Sequence, residues 1–167
     1  MTSDQSLREN RLVLYRHHME QVERVLDEFL RKSGARCALL IDKDGHLVTS
    51  SGDEAGVDPD TISALVAGAF AATKEMAKLL GEQEFSALFH QGTHDSIQLS
   101  LVGGRSILTV LFDDSTTLGM VRLYVSEAVR RLAEILEAPA TDKDKGDANI
   151  DPNYTDSASQ TLDDLFG

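Results

Sequence analysis

Apolar residues recur at helical spacing near the start of the chain. Val22, Val25, Leu26, Phe29 and Leu30 stand at i, i+3, i+4, i+7 and i+8, which predicts an amphipathic helix over residues 12–32 that Gly34 ends. The period then changes. "ARCALLID" (35–42) runs nearly without a polar break, "DKDG" turns the chain and "HLVTSS" (46–51) returns, so a hairpin is expected whose first strand is buried on both faces. After "GDEAGV", Asp58 is placed to N-cap a second helix, Pro59 sits at its tolerated first position and Gly81 supplies the stop.

Beyond that helix, "SALFH" and "SIQLSLV" flank the polar turn "QGTHD", and Ile97, Leu99 and Leu101 alternate with Ser96, Gln98 and Ser100. One face of that strand is expected in the core and the other to be polar. "SILTVLF" is again almost continuously apolar, the mark of a central strand covered on both sides. Val121, Tyr124, Val125, Ala128, Leu132, Ile135 and Leu136 give a last long helix ending before Pro139. The order is therefore α-β-β-α-β-β-β-α, with the domain closing near Ala138.

The second helix contains "ALVAGAFAAT" (64–73), and no charge appears from Thr61 to Thr73. At ~100° per residue, Ile62, Leu65, Val66, Ala69, Thr73, Met76 and Leu80 share one face, enough to cover the chain's own sheet. The opposite face holds Ala64, Ala67, Gly68 and Ala71 before it reaches Glu75 and Lys78. Water would favour charged side chains there, whereas small residues admit another backbone, so a second chain is the simplest cover. The alternatives are an element of the same domain lying over this face, or a tolerated alanine-rich surface.

Composition narrows the setting. With 28 acidic and 16 basic residues among 167, the surface repels phosphate backbones and anionic lipid, which argues against nucleic acid and membrane as partners. Cys37 is the only cysteine, which excludes an intrachain disulfide and suits a reducing cytoplasm. The beginning lacks the basic-then-apolar pattern of a signal peptide, and a cytoplasmic location is expected. His90, His94 and Asp95 fall on a strand and its turn, where the histidines do not converge, so no metal is expected. "DKDGHLVTSSGDE" has Gly45 at the wrong position for a calcium loop. No phosphate-binding glycine loop or nucleophile elbow is present, and Arg105 and Arg122 are the candidate arginine fingers, though exposed arginines are common. Neither catalytic residues nor a cofactor are expected.

Residues 139–160, "PATDKDKGDANIDPNYTDSASQ", contain little able to form a core and read as an acidic, disordered linker. The chain closes on "TLDDLFG" (161–167), where Leu162, Leu165 and Phe166 stand at i, i+3 and i+4, and Thr161 and Asp164 at capping-box spacing. This is a candidate docking segment. Residues 1–11 are assigned to an N-terminal extension.

"GARCALLIDKDGHLVTSSG", "LVAGAFAATKEMAKLLGEQEF", "FHQGTHDSIQLSLVGGRSILTVLFD" and "LGMVRLYV" together resemble the Roadblock/dynein light chain family, specifically its bacterial MglB branch, over about residues 12–138. The resemblance implies an α/β fold of α+β type, the Roadblock fold, with a five-stranded antiparallel sheet of order 2-1-5-4-3 between helices. It implies a homodimer through the second helix, with Leu65 and Ala72, and the third strand around Leu88 and Phe89, giving one sheet continuous across both chains. It further implies a Ras-like small GTPase of the MglA type as partner, met by Ala64, Gly68, Ala71 and Glu75, and Ala67 and Lys78, which share that face of the wheel, complete the candidate partner-binding set. Hydrolysis would be stimulated by repositioning the GTPase's own catalytic residues, in a setting of cell polarity and motility that includes concentration at a cell pole. The alternative reading is a Roadblock scaffold or adaptor that recruits a partner without stimulating GTP hydrolysis.

Overall fold

The structure, a computed structural model, describes residues 2–137, apart from the side chains of 2–4 and 7–14. The linker assigned to 139–160 and the segment carrying Leu162, Leu165 and Phe166 lie outside the described residues. Eight elements follow in the expected order: α1 (Thr2–Ser33), β1 (Cys37–Asp42), β2 (Leu47–Gly52), α2 (Pro59–Leu79), β3 (Ala87–Gln91), β4 (Ser96–Val102), β5 (Ser106–Phe112) and α3 (Leu118–Glu137). Helix α1 starts at Thr2 rather than near residue 12, and the stretch before residue 12 holds no glycine or proline to break it.

All strand pairs are antiparallel, and the sheet order is β2-β1-β5-β4-β3. The two continuous apolar strands, β1 and β5, are neighbours at the centre and are buried on both faces, as their sequences predict. Alternation then divides the core in two. Ala38, Leu40, Leu108 and Val110 face α1 and α3, meeting Val22, Leu26, Val121 and Leu132. Leu39, Ile41, Leu99 and Ile107 face α2, meeting Val66 and Phe70. Two helices thus cover one side of the sheet and a single helix the other.

The polar face of β4 departs from expectation. Gln98 and Ser100 are buried, because they share the sheet face on which α3 packs. Alternation identifies two faces but not which of them is wet. The Gln98 amide donates at 3.4 Å to the Leu99 carbonyl and to Ser100 Oγ. Gln98 Oε1 and Thr109 Oγ1 have no hydrogen-bond partner among the described residues.

Candidate docking site on the second helix

Helix α2 is defined at both ends by the residues its sequence suggests. Asp58 accepts from the Asp60 N–H at 3.3 Å and from the Thr61 hydroxyl at 2.6 Å, and Pro59 follows where no N–H is needed. At the other end Gly81 takes a φ of +78°, while its N–H and that of Glu82 return to the Lys78 and Ala77 carbonyls at 3.2 and 2.9 Å. That pairing closes the helix.

Ser63, Val66, Phe70 and Ala77 are the buried positions of α2. Relative to the wheel drawn from sequence, the helix is rotated by roughly 80°. Leu65, Met76 and Leu80, expected against the sheet, are 68%, 51% and 73% exposed. Phe70 causes the difference: as the largest apolar side chain in the stretch, it takes the centre of the buried stripe. Ser63 and Ala77 let the helix lie close, and the Ser63 hydroxyl donates to the Pro59 carbonyl at 2.6 Å, so its burial leaves no unmet donor.

Two flanks therefore rise from the sheet, about half a turn apart. One carries Leu65, Ala72, Met76 and Leu79, all exposed, with Leu79 at 87%. The other carries Ala67, Ala71, Lys74 and Lys78, and Ala64, Gly68 and Glu75 form the crest between them. Leu65 and Ala72 on the first flank are the positions the resemblance assigns to a dimer, whereas Met76 and Leu79 beside them were not expected on a surface.

The small-residue flank has a partial cover in its own chain. Asp42 Oδ1 accepts from the N–H groups of Asp44 and His46 at 2.9 and 3.0 Å, shaping the β1–β2 turn, and Gly45 adopts a φ of +92°. A Cβ at Gly45 would stand 3.2 Å from Ala64 Cα and 3.5 Å from Ala67 Cβ. The hairpin turn thus accounts for small residues at 64 and 67, one of the alternatives to a second chain. Ala71 and Gly68 remain exposed, and a Cβ added at Gly68 meets nothing within 4 Å.

The sheet also ends in an open edge. Among the described residues strand β3 pairs only with β4, which leaves the N–H and C=O groups of its outer edge without a strand partner there. Its side chains divide between the two faces: Leu88 packs with the α2-side core, while Phe89 joins the α3 side. There the Phe89 ring stacks on Phe112 at 6.1 Å, and the Arg122 guanidinium lies 5.8 Å from its centroid.

The described residues form a five-stranded 2-1-5-4-3 sheet with one helix on one side and two on the other. The Roadblock/LC7 domain family matches residues 21–112. The chain belongs to that family and is MglB-like within it. MglB of Myxococcus xanthus is 39% identical, with 70% of this chain and 94% of that one covered and a TM-score of 0.67. The gliding protein MglB of Thermus thermophilus is also 39% identical, covering 71% and 90%, with a TM-score of 0.67. An uncharacterized protein of Methanocaldococcus jannaschii is 29% identical over 111 residues, 66% of this chain and 96% of that protein.

Within this Roadblock domain the remaining chemical candidates are dispersed. His90 lies exposed on β3 and His94 exposed in the turn before β4. Among the described residues no group of three or more His, Cys, Asp or Glu is placed to hold a metal. Burial pushes the Cys37 thiol up to about 11, which keeps it protonated and a poor nucleophile. Arg105 sits in the β4–β5 turn, where its carbonyl accepts from the Lys43 N–H at 3.0 Å. No helix among the described residues is long and apolar enough to cross a membrane.

Proposed function

We propose that the chain is a non-catalytic, homodimeric regulator of a Ras-like small GTPase of the MglA type, acting as a GTPase activator by repositioning the GTPase's own catalytic residues. The observation that carries this reading is the exposed surface of α2 from Thr61 to Thr73, where no residue is charged and both flanks are apolar or small. A helix facing only water does not keep such a surface, and exposed contiguous apolar patches mark interaction sites. Likeness to MglB of Myxococcus xanthus over 94% of that chain supports the choice of partner.

The two flanks divide the work. Leu65, Ala72, Met76 and Leu79 meet a second copy, and the open edge of β3, beside Leu88, extends the sheet into that copy. Ala64, Ala67, Gly68, Ala71, Glu75 and Lys78 form the platform for the GTPase. Phe89 contributes through its backbone, since its ring is engaged with Phe112. Leu162, Leu165 and Phe166 add a tethered second contact, argued from their sequence spacing alone. The deciding experiment is a pull-down with the MglA-type GTPase of the same cell, followed by multiple-turnover GTP hydrolysis. Binding with accelerated hydrolysis is expected; binding without acceleration identifies an adaptor, and absence of binding overturns the proposal.

A further inference from the structure

Beside α2, on the flank turned away from Leu65 and Met76, lies a cleft of about 180 Å³. Phe70 and Ile107 form its floor, Ala67 and Ala71 its helical wall, and Lys43 and Glu84 the wall opposite. Lys43 Nζ and Glu84 Oε1 are 3.3 Å apart, which ties the β1–β2 turn to the segment following α2 and fixes that wall. Lys74 stands on the rim with no ion-pair or hydrogen-bond partner among the described residues.

Size, polarity and charge each restrict the occupant. At ~30 Å³ per water the cleft holds roughly six waters, below the ~300 Å³ at which ligand pockets begin, but ample for one large side chain. The floor is apolar, so a polar side chain entering it would lose hydration without a partner. The rim is cationic, although the chain carries a net charge of −12. We propose that this cleft receives one aromatic or branched aliphatic side chain from a loop of the GTPase, and that Lys74 pairs with a carboxylate beside that anchor. The inference rests on the reading of α2 as the GTPase platform. It adds the pocket and the charge that select one GTPase over another: the small, exposed Ala71 admits the loop backbone, the cleft is already formed in the unbound chain, and a loop with a basic residue next to its anchor meets Lys74 with like charge.

The test uses the full chain and the MglA-type GTPase loaded with a non-hydrolysable GTP analogue, with affinity read by calorimetry at two salt concentrations. Lys74→Glu, on the exposed rim, is expected to lower affinity by at least about tenfold and to reduce its salt dependence, and Lys74→Met to fall between it and the native chain. Ala67→Leu, verified as folded by circular dichroism, partly fills the cleft and is expected to weaken binding with the salt dependence unchanged. Gly68→Arg, on the crest and outside the cleft, tests the platform by itself. If Gly68→Arg abolishes binding while Lys74→Glu and Ala67→Leu bind as the native chain does, the cleft is not an anchor site and the inference falls alone. If Gly68→Arg also binds normally, the platform reading fails and takes the inference with it.

Discussion

Arg131 on α3 places a guanidinium nitrogen 2.6 Å from Glu28 Oε2 on α1. Lys32 completes the contact, 3.0 Å from Glu28 and 3.4 Å from Glu127, so four charges alternate across the seam between the helices that cover one side of the sheet. The Arg131 hydrogen bond, followed by that from Lys32, holds the Glu28 carboxyl at about 2 instead of 4.5.

A carboxyl depressed in this way stabilises the fold fully above its unfolded value and loses that contribution as pH falls through its folded value. The native chain should therefore exceed Glu28→Gln in Tm by a constant margin above pH 4.5, and the margin should shrink between 4.5 and about 2. Because the seam is partly exposed, salt should reduce the margin as well. Thermal unfolding across pH at two ionic strengths measures both effects, and a margin independent of pH would assign the stabilisation to packing.

The apolar flank of α2 leads to an oligomeric prediction. Sedimentation at micromolar concentration should give a dimer, whereas Leu65→Asp combined with Met76→Asp, which alters only exposed positions, should give a folded monomer. A native species near 18.2 kDa under those conditions would rule out a tight dimer.

On the other flank, Ala71→Arg should abolish stimulation of GTP hydrolysis while leaving dimer and fold intact, because Ala71 is exposed and its substitution displaces nothing in the core. Stimulation by a folded Ala71→Arg dimer at the native level would move the docking surface elsewhere.

Arg105→Ala and Arg122→Ala should each retain most of the stimulation, since the arginine that acts in hydrolysis is assigned to the GTPase. Arg122→Ala should lose about 0.5–1 kcal/mol of stability with its contact over Phe89. Single-turnover rates decide the matter: a loss of about a thousandfold for either variant would reveal an arginine supplied in trans.

For the segment at 161–166, Leu165→Asp combined with Phe166→Ala should weaken GTPase binding or alter nucleotide exchange without affecting dimerisation. Equal affinity and equal exchange kinetics at matched salt would leave those residues without a part in the complex.

The sequence makes the order of elements legible, because turn residues and changes of hydrophobic period are local signals. Cys37 to Ile41 and Ile107 to Phe112 could be read as central strands from their unbroken apolar character. The phase of α2 could not, since a run of alanines gives a wheel almost no contrast and a single residue, Phe70, decides the rotation. Gln98 and Ser100 misled for a related reason: polarity marks a face, and only the packing of α3 shows that it is covered. The approach of Gly45 to Ala64, and the cleft bounded by Lys43 and Glu84, join residues far apart in the chain and leave no local trace.

The central position of β1 and β5 also governs how the molecule is made. Asp42 pairs with Ser106 and Cys37 with Leu111, so β1 leaves the ribosome long before its main neighbour exists. Until then the nascent chain can form the β1–β2 hairpin and the coil of α2, but the apolar stripe of Val66 and Phe70 has only part of a sheet to cover it. Helix α2 thus passes through synthesis with its sheet-facing side exposed as well, and a translational pause before Ser106 would lengthen that exposure.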